Sequence, residues 1–334
     1  MKIFITGIAG FVGQNLFAAL KDEGHDVFGC DIEDKPHIGF PYIRGDCRNL
    51  NRMNKWLEDM DVVIHCAAHA HEGLSVFSPL AITDSIYRAS VSTFSAAISQ
   101  GVKRVVYCSS MSRYGSIKAP FHECDDPRPV DPYGIAKLAS ERTLECLAKL
   151  HDIEYVIAVP HNIYGPFQTY NDPYRNVIAI WMNRIMQGKA PIVYGNGLQR
   201  RCFSYIDDVI PCFIKMATAD DDDMLGRVIN IGPDHGEVCI NEALAYVRNA
   251  MFNEGLNVPP TIHMPARPAE VHHANCHGEL SRAILGYKPQ VELENGIAKM
   301  AAWIIRQGSK PFIYDKQIEI LRDYAPRTWT HEEM

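Results

Sequence analysis

Short apolar runs alternate along this chain with longer stretches in which apolar residues fall at helical intervals. The runs cover residues 2–6, 26–30, 42–44, 61–65, 102–108 and 154–159, and each has the length and β-branched content of a buried strand. Between them, residues 11–20, 51–58, 79–100 and 131–150 carry helical spacing. Phe11, Val12, Leu16, Phe17 and Leu20 form the first such face. Asp131 is placed to cap the helix over 131–150, with Pro132 at its tolerated first position. Strand and helix in alternation predict an α/β fold with a doubly wound parallel sheet covered on both faces.

Past residue 165 the pattern breaks. Pro166, Pro173, Pro191, Pro233 and further prolines up to Pro289 divide the chain into shorter pieces. The expected organisation is a domain over residues 1–165 and a smaller, mixed α/β lobe over 166–334. A helix over 207–217 and a strand over 227–231 are expected to return to the first domain. A last helix pair is predicted at 296–306 and 314–324.

The first strand and helix carry chemistry as well as fold. Gly7, Gly10 and Gly13 sit between them at G-x-x-G-x-x-G spacing, and the second strand runs into Asp31. Strand, glycine turn, helix, strand and acid make the dinucleotide-binding unit of a Rossmann-type sheet. Glycines let the backbone turn tightly beside a pyrophosphate, and the helix N-terminus offers free N–H donors and positive dipole. Asp31 would accept hydrogen bonds from ribose hydroxyls, which favours NAD over its 2′-phosphorylated form. Asp46 follows the third strand, at the sheet end where ligands bind. Ala67, after the fourth, is small enough to let a cofactor lie close.

Charge and cysteine usage narrow the setting. A net charge of −7 with no basic run argues against nucleic acid or an anionic membrane as the main partner. Ten cysteines without a regular framework suit a reducing compartment. The apolar start is short and broken by glycines, unlike a signal peptide, and no run approaches membrane-spanning length. A cytoplasmic protein is expected.

Tyr133 and Lys137 lie four apart on the capped helix, hence on one face. The ammonium, together with an oxidised nicotinamide, would lower the phenol's pKa so that it takes a hydroxyl proton near neutrality. Upstream, the fifth strand ends in Cys108-Ser-Ser-Met-Ser-Arg-Tyr-Gly115, and a serine there can bond the same hydroxyl. Cys108 reads as a buried strand residue. His65, His69 and His71, and separately His272, His273, Cys276 and His277, are rich in potential ligands. Ordinary strand-end and loop roles suit both groups better than a metal, so no metal is expected.

Together these residues resemble the extended short-chain dehydrogenase/reductases, and within them the nucleotide-sugar epimerase/dehydratase family, nearly end to end. Thr6-Gly-Ile-Ala-Gly-Phe-Val-Gly13 resembles the family's cofactor loop, which brings Phe11 and Val12 to the cofactor. Val62-Val-Ile-His-Cys-Ala-Ala68 resembles its fourth-strand motif. Tyr133 and Lys137 resemble its catalytic pair, and counting back from Tyr114-Gly115 puts its catalytic serine on Ser110. Pro160-His-Asn-Ile-Tyr-Gly-Pro166 resembles the turn that places Pro160 at the cofactor and Asn162 at the sugar nucleotide. Gly195 to Phe203 resembles a segment whose arginine, here Arg201, binds the diphosphate, with Arg200 as the competing candidate. Arg267, ahead of Pro268-Ala-Glu270, resembles a second nucleotide-binding arginine.

The resemblance implies NAD as cofactor, a nucleotide diphosphate sugar as substrate, and a homodimer through the helices at 79–100 and 131–150. Its dehydratases and decarboxylases place a glutamate where this chain has Met111 and Ser112, expected at the substrate and unable to act as carboxylate bases. Epimerisation, most often at C4 in this group, is therefore expected over dehydration or decarboxylation. Glu72 or Glu123 are the acids that could substitute. An NAD-binding sensor or scaffold without turnover is the reading from another class.

Overall fold

The computed structural model describes residues 1–35, 39–267, 270–316, 318–320 and 325–334. Its centre is a parallel sheet of seven strands. β1 (Lys2–Thr6), β2 (Asp26–Asp31), β3 (Ile43–Arg44), β4 (Val62–His65), β5 (Arg104–Cys108) and β6 (Glu154–Pro160) match the expected strands to within two residues. The seventh, β7 (Val228–Ile231), comes from far down the chain and pairs with β6. The order is β7-β6-β5-β4-β1-β2-β3. Chain direction across the sheet therefore reverses between β1 and β4, and such a reversal leaves a crevice at the strands' C-terminal ends.

Period-two alternation along the strands feeds two cores. Ile3, Ile5, Val62 and Ile64 pack with Leu16 and Leu20 of α1 (Phe11–Asp22) and with Val209 and Phe213 of a later helix, Ile206–Thr218. Phe4, Val63, Val105 and Tyr107 face the other way. There they meet Met53 of α2 (Leu50–Trp56), and Phe94 and Leu144 from two helices beyond. β7 thus completes the sheet, and the helix Ile206–Thr218 packs on one face of it.

Two expectations are corrected. The stretch 79–100 is not one regular helix: after the short α3 (Glu72–Ser75), α4 (Pro79–Thr83) runs through a wide π-type turn, Asp84–Arg88, into α5 (Ala89–Ser99). Ser85 Oγ bonds the carbonyl of Ile82 at 2.8 Å and Ser90 Oγ that of Ile86 at 2.7 Å. Such back-bonding serines compete for the helical carbonyls and bend the ladder. The predicted helix over 314–324 is absent at 314–316 and 318–320; its other residues lie outside those described. The Glu319 and Ile320 amides bond the carbonyl of Phe77 instead, and the Glu319 carboxylate accepts from Leu80 and Ala81 at the start of α4.

α6 (Pro132–His151) is the capped helix, Asp131 Oδ1 accepting from the Gly134 amide at 2.8 Å. α7 (Val177–Met186), α8 (Ile206–Thr218), α9 (Ile240–Asn253) and α10 (Leu293–Gln307) follow. Small sheets lie among them, one pairing Arg200–Arg201 with both Val238–Cys239 and His273–Ala274. Leu80 and Ile135, on the helices expected to meet a second copy, are 73% and 53% exposed. Among the described residues no helix is long and apolar enough to cross a membrane.

Candidate active site

The crevice at the chain reversal opens into a cavity of about 960 Å³ that runs from the glycine turn to the small sheets. Gly7 has a positive φ of 72°, and a Cβ on Gly13 would lie 2.3 Å from the Gly7 carbonyl oxygen. No larger residue would let α1 start so close to β1. Gly10 caps α1 without any side-chain hydrogen bond, so the first amides of the helix face the cavity beside Phe11 and Val12. This uncapped N-terminus fits a pyrophosphate.

Asp31 closes the same end. Its carboxylate accepts from the amides of Ala9 at 3.0 Å and Glu33 at 2.9 Å, and burial pushes its pKa up against those bonds. Lys35, which the sequence reading missed, reaches the Ala9 carbonyl at 3.0 Å and places a cation beside Asp31. Asp46, Ala67 and Pro160 also line the cavity, the Asp46 carboxylate being held by Arg48 at 2.6 Å. Substituting Asp31→Ala should weaken NAD binding and narrow its preference over NADP. Hydrogen bonds to a charged group contribute about 1.5–3 kcal/mol, a roughly tenfold or greater change in affinity. Calorimetry with both cofactors checks this, and equal wild-type affinities would count against Asp31 as the discriminating group.

At the other side of the crevice, α6 presents Tyr133 and Lys137. Lys137 Nζ donates to the Cys108 carbonyl at 2.7 Å and lies 6.0 Å from the Tyr133 ring centroid. Burial holds the phenol above its ordinary pKa, while the Lys137 charge and a hydrogen bond with Ser110 draw it down. Both serines line the cavity but differ in partner: Ser110 meets Tyr133, whereas Ser109 donates to the buried Glu141. Glu141 in turn lies 2.9 Å from the guanidinium of buried Arg113, which continues to Tyr114 Oη at 3.1 Å.

Met111 and Ser112, expected at the substrate, do not line the cavity. Ser110 caps a tight 3₁₀ turn, Met111–Arg113, that carries the chain away, and Met111 is buried in the second core. Of the two spare acids, Glu123 accepts from the Asn230 amide at 3.0 Å, off the cavity. Glu72 does line it, and its charge bears on Asp131, Tyr133 and Arg201 alike.

Asn162, Arg201 and Arg267 line the far end. Arg201 donates to the carbonyls of Arg200 and Val271, while Arg200 pairs outward with Glu237 at 3.0 Å. Arg267 meets Glu270 at 3.1 Å, and its Nε is buried with no hydrogen-bond partner among the described residues; Pro268 and Ala269 beside it lie outside them. The histidines have separate duties. His65 bonds Thr6 and Ser90 inside the core, His71 bonds Asp172 at 2.7 Å, and His273 lies against the Glu237 carboxylate without an aligned hydrogen bond. No group of three or more candidate ligands able to hold a metal ion occurs among the described residues.

The profile of the NAD dependent epimerase/dehydratase family matches residues 3–232. A UDP-glucose 4-epimerase of Mycolicibacterium smegmatis is 29% identical over 314 residues, 90% of this chain and 97% of that one. A GDP-mannose 3,5-epimerase of Oryza sativa subsp. indica is 28% identical over 324 residues, 93% of this chain and 83% of that one. The crystal structure of a UDP-glucose 4-epimerase from Thermotoga maritima, solved with UDP-glucose, superposes with a TM-score of 0.83. It is 26% identical and covers 92% of this chain and 99% of its own. A parallel sheet with its glycine turn at the chain reversal, and a match over most of that sheet, place this chain in the NAD dependent epimerase/dehydratase family.

Proposed function

We propose that the protein is a nucleotide-sugar epimerase that inverts C4 by transient oxidation to a keto-sugar. The carrying observation is the meeting of Tyr133, Ser110 and Lys137 at the cavity wall, with Ser112 and not a carboxylate at the position where the resemblance places the base for elimination. Tyr133 takes the proton from the sugar hydroxyl, Ser110 bonds the same oxygen, and Lys137 holds the phenolate's charge. Bound NAD would accept the hydride and return it. Arg201 and Arg267 suit the diphosphate, because a guanidinium offers paired donors to phosphoryl oxygens. Asn162, which lines the same cavity, is the proposed sugar contact.

A second reading has one observation in its favour. Glu72 brings a carboxylate into the cavity near Tyr133. A base there could remove a proton next to the new ketone, as dehydration or 3,5-epimerisation requires. Relatives of near-equal identity invert at C4 and at C3 and C5, so identity does not choose.

The deciding experiment incubates the purified protein with a panel of UDP-, GDP- and dTDP-sugars and follows products by NMR and mass. An isomer of unchanged mass, inverted at C4 and formed without net NADH release, is the expected result. Loss of the mass of water or carbon dioxide, or inversion at C3 and C5, would replace the C4 reading with one of its rivals. No product from any sugar would favour a binding protein without turnover.

A further inference from the structure

Two cysteines on the wall of the cofactor cavity have no part in this chemistry. β4 and β5 are adjacent parallel strands in register, with His65 opposite Tyr107, so the next pair along is Cys66 and Cys108. In-register neighbours point to one face of a sheet, and both residues line the cavity. The two thiols act on each other, the Cys66 pKa being held up and that of Cys108 drawn down, while Cys108 Sγ also reaches the Ser109 carbonyl at 3.9 Å. Neighbouring strands lie about 4.8 Å apart, inside the roughly 4.4–6.8 Å between Cα atoms that a disulfide spans. Both are free thiols here.

We propose that Cys66 and Cys108 are a redox-active dithiol pair, which a peroxide converts to a disulfide when the cofactor cavity is empty and which then blocks NAD binding. The surroundings prepare Cys108 to react first. Cys66 beside it pushes its thiol pKa down against burial, and Lys137, held on the Cys108 carbonyl, pulls the same way. Its thiolate attacks an oxygen of hydrogen peroxide: an S–O bond forms, the O–O bond breaks, and hydroxide leaves to be protonated to water. The sulfur of Cys66 then attacks the sulfenic sulfur. The S–S bond forms, the S–O bond breaks, and a second water leaves. The two thiols lose two electrons and two protons in all, and the peroxide takes both.

The bridge would act on two points the cofactor needs. Ala67, next to Cys66, packs its backbone 2.9 Å from where Gly7 would carry a Cβ, leaving that wall no slack. Cys108 supplies the carbonyl that anchors Lys137. A cofactor lying over the pair would also exclude the peroxide.

The test treats the full chain with hydrogen peroxide, with and without NAD, alkylates remaining thiols and maps peptides unreduced by mass spectrometry. A Cys66–Cys108 link, two hydrogens lighter than the separate peptides, is expected. NAD at ten times its dissociation constant should slow its formation roughly tenfold by mass action. Calorimetry after oxidation should show NAD binding lost and then restored by a thiol reductant. In Cys108→Ser the link and the oxidative loss, measured against that variant's own untreated sample, should both vanish. Oxidation confined to the exposed Cys124 and Cys146 would overturn the proposal. So would a link that forms equally fast under NAD, or equal oxidative loss in Cys108→Ser.

Discussion

Replacing Tyr133 with phenylalanine should lower turnover by roughly 10²–10⁴-fold, the range typical of losing one general acid–base group, while the protein still folds and holds NAD. The ring itself is 7% exposed and packs with Ile82, Ile86 and Ala136, contacts that phenylalanine keeps. What disappears is the phenolic oxygen that meets Ser110 and is proposed to take the proton from the bound hydroxyl. The loss should fall on kcat more than on KM, because the missing interaction is made in the transition state. Steady-state kinetics on whichever nucleotide sugar is turned over, with calorimetry for NAD, would measure both. A variant that turns over at near the wild-type rate would remove Tyr133 from the mechanism.

The second large effect concerns stability. Arg113 and Glu141 are buried together, at 2% and 0% exposure, with 2.9 Å between guanidinium and carboxylate. The contact is an ion pair without an aligned hydrogen bond, since neither of its closest atoms has a hydrogen-bond partner. Burial pushes the Glu141 pKa up, and Arg113 and Ser109 oppose it. Arg113→Met leaves a carboxylate without its counter-charge in the core, which should cost about 3–5 kcal/mol. Adding Glu141→Leu should recover most of that, because two apolar groups need no partner. Urea unfolding midpoints of the two single variants and the double variant test this. If the singles unfold at the wild-type midpoint, the pair contributes nothing and the Ser110 turn is held by packing alone.

Much of this was legible in the residues, for physical reasons that differ from place to place. β1, the glycine turn and Asp31 could be read because spacing, small residues and an acid at a strand end all serve one geometry. Ile206–Thr218 and Val228–Ile231 lie in a proline-broken stretch, yet they pack on and extend the first sheet. The π-type turn at Asp84–Arg88 was not legible, since no glycine or proline marks it. Residues 314–324 carry helical spacing, but backbone at 319 and 320 bonds the loop before α4. Met111 was expected at the substrate because it stands beside the position where the resemblance places a glutamate. The tight turn after Ser110 sends it inward, a difference of one residue that periodicity does not resolve. Lys35 reaches Ala9 through a loop whose course no local pattern fixes.

The late arrival of Val228–Ile231 bears on how the chain is made. Synthesis releases the N-terminal strands first, and β6 has nothing on its outer side until Val228 has left the ribosome. A nascent chain holding every residue of the glycine turn and of the Tyr133 helix therefore still carries an open parallel edge, a template for pairing with other chains. The N-terminal segment is for this reason not a portable module: cut after residue 165, it would keep the loop that faces the cofactor and lose the strand that seals its sheet.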